Sequence, residues 1–294
     1  MVFLSQEERA LVFKRLHCPG NPLVLVNIWD AGSAKMVTER GAKALATSSC
    51  ALAEACGYAD GENIPVKDLA RIVARIADTS NLPVSVDMEG GYGASCEALE
   101  NSVAAVVTAG AVGINIEDGR RNGVRTLVSA DIHGKRIKSA RKAADRCRAS
   151  LFINASIHTY LVRTGDYRET ADETIRRAKA YRDAGADGIF VPGLSDPAVI
   201  QRLVDEIGLP INILLSPRTP SVDTLANLGV ARISLGTAPF DFVRSAFGGA
   251  VSLFNRTKLA EAFTHHSLLY GYNGPSYRYQ RSPDYALTPV GDEG

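Results

Sequence analysis

Eight short apolar runs, separated by stretches of helical periodicity, constrain this chain more than any other feature. They are LVLVNIW (23–29), ALATSS (44–49), PVSVDME (83–89), GINIED (113–118), LFINAS (151–156), GIFVPG (188–193), INILLS (211–216) and RISLG (232–236). Between them, VKDLARIVARIADTS places Leu69, Ile72, Val73 and Ile76 on one helical face. CEALENSVAAVVTAG and ETADETIRRAKAYRDAG each run to a glycine stop. AG or LG precedes the fourth, sixth and eighth runs, as helix C-caps feeding a strand would. Strands apolar on both faces imply an all-parallel sheet. Eight βα repeats close a (β/α)8 TIM barrel of about 250 residues, and the chain has 294. A doubly wound open sheet is the alternative; the strand count and the lack of GxGxxG after the first strand argue against it.

A barrel collects its chemistry at the C-terminal ends of its strands. Those ends read Trp29 and Asp30, Ser48 and Ser49, Asp87 and Glu89, Glu117 and Asp118, Asn154, Ser156 and His158, Pro192, Asn212 and Ser216, and Gly236. Acids and hydroxyls concentrate there, while the opposite ends are bland. Asp87 and Glu89 stand two apart, so strand alternation predicts one shared face. Glu117 ends the next strand, and Asp60 follows the second. Four carboxylates converging from neighbouring strand ends would repel and raise one another's pKa. A hard divalent cation with oxygen ligands and retained waters resolves that repulsion, which points to Mg2+, with Mn2+ as the alternative. The plainer reading is acids that cap helices or pair with arginines. Ser48 and Ser49 offer hydroxyls and backbone N–H groups to an anionic substrate, or a plain N-cap.

The charge balance excludes other classes. Thirty-three basic residues against 32 acidic ones, with no basic tract, give no footprint for nucleic acid. No apolar run approaches the roughly 18 residues of a membrane span. The N-terminal MVFLSQEERALVFKRL is too charged for a signal peptide and reads as an amphipathic helix. Five cysteines without CxxC spacing suit a reduced, cytoplasmic protein and argue against zinc.

NIWDAGSA, ATSSCALAEACGYADGE, PVSVDMEGGYG and GINIEDG together resemble the isocitrate lyase / phosphoenolpyruvate mutase superfamily over roughly residues 20–240, as do GADGIFVPGL and LGVARISLG. The resemblance implies a (β/α)8 barrel in which Mg2+ holds a small carboxylate-bearing substrate of the 2-oxo or 2-hydroxy acid type. A C–C or P–C bond beside the carboxylate is then formed or broken through a metal-stabilised enolate. The family's aspartate-x-aspartate-x-GYG motif is carried by Asp87, Glu89, Gly91, Tyr92 and Gly93. By that resemblance Asp87 is the direct metal ligand, and Glu89, Glu117 and Asp60 hold the metal through its waters. Trp29, Asp30, Ser48 and Ser49 match substrate-holding positions.

Three departures qualify the resemblance. The lyases carry their acid/base cysteine in the loop after the fourth strand; here GRRNGVRTLVSADIHGKR has none. The mutases carry lysine-threonine-asparagine-serine in that loop, of which Asn122 is a faint echo. The fifth strand of the family ends with an arginine that clamps a carboxylate, where this chain has Ser156 in NASIHTYL. A hydroxyl cannot imitate a bidentate guanidinium. Another cation therefore supplies the clamp, with Arg120, Arg121 and Arg218 as candidates, or the substrate lacks that carboxylate. His158 suits an acid/base near neutral pH; its bland alternative is a histidine bonded to backbone. The candidate catalytic residues are thus His158, Asn122 and Arg120. The candidate substrate-holding residues are Trp29, Asp30, Ser48, Ser49, Ser156 and Asn212.

The expected organisation is a barrel with an N-terminal helix over residues 1–258 and a C-terminal extension over 259–294. Tyrosine-rich and Gly/Pro-rich, that tail suits a docked surface, and the family exchanges its last helices between subunits. A homo-oligomer, dimer or tetramer, is expected, with the tail folded on its own barrel as the alternative. Functionally, a Mg2+-dependent carbon–carbon lyase leads. A phosphonomutase-type P–C enzyme and a catalytically lapsed binding barrel are the alternatives.

Overall fold

The computed structural model describes residues 4–120, 126–162 and 166–254. Arg121, Asn122 and the tail from residue 255 lie outside the described residues, as does the side chain of Arg120. The chain divides into two units, 1–243 and 244–294. The first contains the sheet and its helices; the described part of the second is the end of a helix reaching Phe254.

The strands are β1 (Leu23–Leu25), β2 (Asn27–Ile28), β3 (Leu45–Thr47), β4 (Val84–Asp87) and β5 (Gly113–Glu117). A short antiparallel hairpin follows, β6 (Gly119–Arg120) with β7 (Thr126–Leu127). Then come β8 (Phe152–Ser156), β9 (Gly188–Val191), β10 (Ile211–Leu214) and β11 (Arg232–Ser234). Every strand of the main sheet pairs in parallel, in the order β1-β11-β10-β9-β8-β5-β4-β3-β2. Its two outer members are pieces of one strand, interrupted at Val26. The sheet therefore closes as the expected eight-stranded (β/α)8 barrel. Asn27 bridges the seam. Its Oδ1 accepts from Leu235 N at 3.0 Å and Gly236 N at 2.9 Å, and its Nδ2 donates to Thr47 O at 2.9 Å. A side-chain amide thus supplies the bonds that the broken ladder lacks.

The helices are α1 (Gln6–Leu16), α2 (Ala31–Glu39), α3 (Ser49–Ala55), α4 (Val66–Asp78), α5 (Cys96–Thr108) and α6 (Ala130–Arg146). After β8 follow α7 (Thr159–Val162), α8 (Tyr167–Asp183), α9 (Pro197–Ile207), α10 (Val222–Asn227) and α11 (Ala238–Phe254). The strands meet α2–α10 in a large apolar core that includes Ile114, Ile153, Ile189, Ile213 and Ile233, and a second, smaller cluster holds Ala10 and Phe13 of α1 with Phe152.

The floor of the barrel is closed by α1. A Ser5–Glu8 capping box starts the helix. Fully buried Phe13 packs edge-on against Phe152 at 5.6 Å, and His17 stacks on the same ring at 4.1 Å. A Cβ on Gly113 would stand 2.7 Å from the Phe13 ring, so only glycine lets the helix approach this closely. Gln6 ties the start of the helix down by donating to Val107 O and Ala111 O, at 2.8 and 2.9 Å.

Above that floor the interior turns polar. Asn154 donates to Asn115 Oδ1 at 2.9 Å, Ser234 to Asn212 Oδ1 at 3.2 Å, and Arg232 lies buried among them. Its guanidinium makes two long contacts of 3.4 Å, to Ser234 Oγ and Asn115 Oδ1. Burial pulls the Arg232 pKa down to about 10, partly offset by the nearby Asp87.

Candidate active site

Asp87 closes β4, where the strand carries it to the mouth of the barrel. Its Oδ2 accepts from Ser49 Oγ at 2.8 Å and from Ser49 N at 3.3 Å, while its backbone N–H donates to Thr47 Oγ1 at 2.9 Å. Ser48 is the N-cap of α3, with its hydroxyl facing Ala51 N at 3.4 Å. Ser48 thus takes the N-cap role that the sequence allowed, while Ser49 holds Asp87, a role the sequence did not suggest.

The expectation that alternation puts Asp87 and Glu89 on one face needs correction. The strand ends at Asp87, and Glu89 lies in the left-handed region at φ 49°. Strand periodicity stops applying there. Glu89 Oε2 accepts from Glu62 N at 2.9 Å, and Oε1 from the Tyr92 hydroxyl at 3.1 Å. Glu62 in turn accepts from Tyr92 N at 2.7 Å. Glu62 and Tyr92 are also left-handed, at φ 61° and 54°. Each such non-glycine residue costs about 1–3 kcal/mol and persists where its surroundings over-determine it. Here three of them hold one another by hydrogen bonds. Glu62 is a site residue the sequence reading missed. Its only signal was the DGE turn after Asp60, where a residue's role depends on a backbone angle that residue types do not reveal.

Glu117 ends β5 beside this loop, with Glu117 N donating to Glu89 O at 2.7 Å. His158 lies behind Gly119: a Cβ on that glycine would stand 2.4 Å from His158 Nδ1. His158 Nε2 is 3.1 Å from Ser156 Oγ and 3.6 Å from Glu117 Oε1. Asp118 anchors the histidine's backbone by accepting from His158 N at 2.9 Å. Asp118 is itself fixed by Arg177 at 2.9 Å and the Tyr181 hydroxyl at 2.7 Å, both from α8. Ser156 and His158 therefore belong to one buried polar group with Glu117: the ring nitrogen Nε2 faces two side chains, and the backbone bond is made by the histidine's own N–H.

The acids are electrostatically loaded. Burial pushes the Glu117 carboxyl well above the ordinary range, and Asp87, Glu89, Asp118 and Glu62 add repulsion. Burial and Asp87 push Glu89 up to about 7 against its hydrogen bonds, chiefly from the Glu62 N–H. Asp87 is raised by burial, partly relieved by Ser49 and Arg232.

A cavity of about 480 Å3 opens over this cluster, lined by Asp60, Glu62, Glu89, Glu117 and Arg136, among others. Trp29 is half-buried, with its ring 5.0 Å from Phe240 and steeply inclined to it. Asp30 serves as the N-cap of α2, accepting from Ser33 N at 2.7 Å. Asn212 is buried in the barrel interior and Arg218 is exposed. None of these four lines the cavity, nor do Ser48, Ser49, Asp87, Ser156 or His158.

The donors fit a hard divalent cation. They are carboxylate oxygens; burial first, and for Glu89 and Glu117 repulsion from neighbouring acids as well, lifts their pKa values, and a bound cation would favour their charged forms. Among the described residues no three His, Cys, Asp or Glu side chains gather as a ready ligand set.

A closed parallel barrel whose C-terminal mouth collects carboxylates defines an enzyme of the TIM-barrel class. The chain belongs to the phosphoenolpyruvate phosphomutase family, which it matches over residues 13–254, and so to the isocitrate lyase / phosphoenolpyruvate mutase superfamily of lyases. A crystal structure of a putative phosphonomutase from Burkholderia cenocepacia J2315 is 40% identical; the match covers 85% of this chain and 99% of that one, with a TM-score of 0.80. An uncharacterised protein of Mycobacterium tuberculosis is 35% identical over 228 residues, 78% of this chain and 83% of its own. The 2-methylisocitrate lyase of Escherichia coli is 28% identical over 258 residues, 82% of this chain and 84% of that protein.

Proposed function

We propose that this protein is a Mg2+-dependent lyase that makes or breaks a C–C bond beside the carboxylate of a small 2-oxo or 2-hydroxy acid. The observation that carries the reading is the buried, mutually repelling set of Asp87, Glu89 and Glu117 at the barrel mouth. Asp87 is the residue to hold the cation directly, with Glu89, Glu117 and Asp60 arranged around its waters. A cation there supplies Lewis-acid polarisation of a substrate oxygen and stabilises negative charge developing on it. The chain's own residues do the rest. Ser49 orients Asp87 by two hydrogen bonds. The Glu62–Glu89–Tyr92 knot keeps the loop rigid. His158 holds or moves a proton at Nε2, where Ser156 Oγ and Glu117 Oε1 both face it.

A second reading, transfer at a P–C bond, draws on the putative phosphonomutase at 40% identity. Turnover of 2-oxo and 2-hydroxy acids with Mg2+ and in EDTA, followed by proton and phosphorus NMR, separates the two. The lyase reading expects metal-dependent loss of a carbon fragment. Phosphorus signals that change with phosphonopyruvate-type substrates, with no C–C cleavage, would replace it.

A further inference from the structure

Asp60 reaches the cavity wall from the loop between α3 and α4, and Glu89 from the turn that follows β4. The two acids stand on separate segments, and something must set one against the other. The turn is fixed on its own account. Arg136 of α6 donates from Nη1 to Gly93 O at 2.9 Å and from Nη2 to Gly90 O. Gly93 is seated so closely on α5 that a Cβ there would stand 2.7 Å from Leu99 N. The loop differs. Gly57, Tyr58, Ala59, Glu62 and Asn63 are exposed. Asn63 folds it by donating from Nδ2 to Ala59 O and Asp60 O, both at 3.2 Å, and those bonds stay within the loop.

Glu62 is where this loop meets the turn. Its N–H donates to Glu89 Oε2 at 2.9 Å, and its Oε1 accepts from Tyr92 N at 2.7 Å. Each segment therefore gives a backbone N–H to a carboxylate of the other, a reciprocal pair of charge-assisted bonds. The fit is close. A Cβ on Gly90 would stand 2.9 Å from Glu62 Oε1, the same oxygen that meets Tyr92 N. Charge opposes the contact, since Glu62 adds to the repulsion that raises the Glu89 carboxyl. Directed N–H donors, not attraction between side chains, join the two segments here. Asp60 lies two residues before Glu62, across the left-handed Gly61 at φ 111°, so the place of Glu62 governs the place of Asp60.

We infer that Glu62 is a positioning residue: it latches the Asp60 loop onto the Glu89 turn, so that acids from two segments face the site as one preset unit. It acts through its hydrogen bonds, not through its charge and not as a ligand. Its purpose rests on the metal reading above, while the latch itself needs no metal.

Three variants separate position from charge. Glu62→Ala removes both the acceptor and the charge. Glu62→Gln keeps an oxygen for Tyr92 N and removes the charge. Gly90→Ala keeps the charge, and its methyl crowds Glu62 Oε1; Gly90 is outside the left-handed region, so its backbone accepts alanine. Two readouts are taken, with thermal melting as the check on folding: amide hydrogen exchange of Tyr92 in EDTA, and calorimetric affinity for Mg2+. Glu62→Ala and Gly90→Ala are each expected to speed that exchange and to weaken Mg2+ binding by about tenfold, with Glu62→Gln within about threefold of wild type in both. Glu62→Gln as weak as Glu62→Ala, with Gly90→Ala unchanged, would mean that Glu62 acts by charge, and overturns the inference. Exchange that none of the variants alters overturns it as well. If Glu62→Ala is unfolded, Gly90→Ala and Glu62→Gln still decide between position and charge. If wild type binds no Mg2+, the metal reading falls, and the exchange rates alone decide whether Glu62 holds the turn.

Discussion

His17 shows how a single residue can be fixed by the fold around it. It caps α1, its Nδ1 meets Phe13 O at 2.8 Å, and its ring is stacked on Phe152. Burial, then the nearby Arg232, drives its pKa down from 6.5 to about 3. The folded protein thus holds His17 neutral where the unfolded chain would take a proton. The stability it contributes is complete above pH 6.5 and is lost as pH falls toward about 3. Urea unfolding across that window is expected to give His17→Gln a shallower pH slope than wild type, by about one proton. Equal slopes would mean that the ring is charged when folded. In the acid cluster, residue type singled out Asp87, Glu89, Glu117 and Asp60 as candidates, because carboxylates near consecutive strand ends stand out in any sequence. It did not reveal Glu62, Arg136 or Arg232. The first works through a left-handed backbone, the second reaches across from a helix, and the third hides inside a strand that reads as ordinary.

At the scale of elements, the strand and helix pattern was legible because alternation and 3.6-residue periodicity are local. The closure of the sheet was legible only as a count; its means, an amide bridging the break at Val26, was not. The sequence placed Asp87 and Glu89 on one strand, and the backbone stops being a strand between them. The N-terminal amphipathic helix was anticipated, but not that it plugs the barrel floor. That contact predicts a definite cost. Phe13 is fully buried against Gly113 and Phe152, so Phe13→Ala is expected to lose about 3–5 kcal/mol in urea unfolding. A loss below about 1 kcal/mol would show that the floor does not depend on α1.

For the molecule as a whole, a stable scaffold carries a site that opposes its own charges. Three acids at the mouth are held partly desolvated, and the charge of Asp87 reaches Glu89 and Glu117; strands fix Asp87 and Glu117, and a knotted loop fixes Glu89. Burial and repulsion oppose the charges of this arrangement, and the central claim of the proposed function is that a divalent metal binds there. The direct measurement is a calorimetric titration of Mg2+ into wild type and Asp87→Ala, after chelation and at neutral pH. Wild type should bind one Mg2+ saturably at millimolar metal, and Asp87→Ala should lose that binding while melting as a folded protein. Wild type that takes up no Mg2+ at millimolar concentration, or Asp87→Ala that binds it unchanged, would contradict the account.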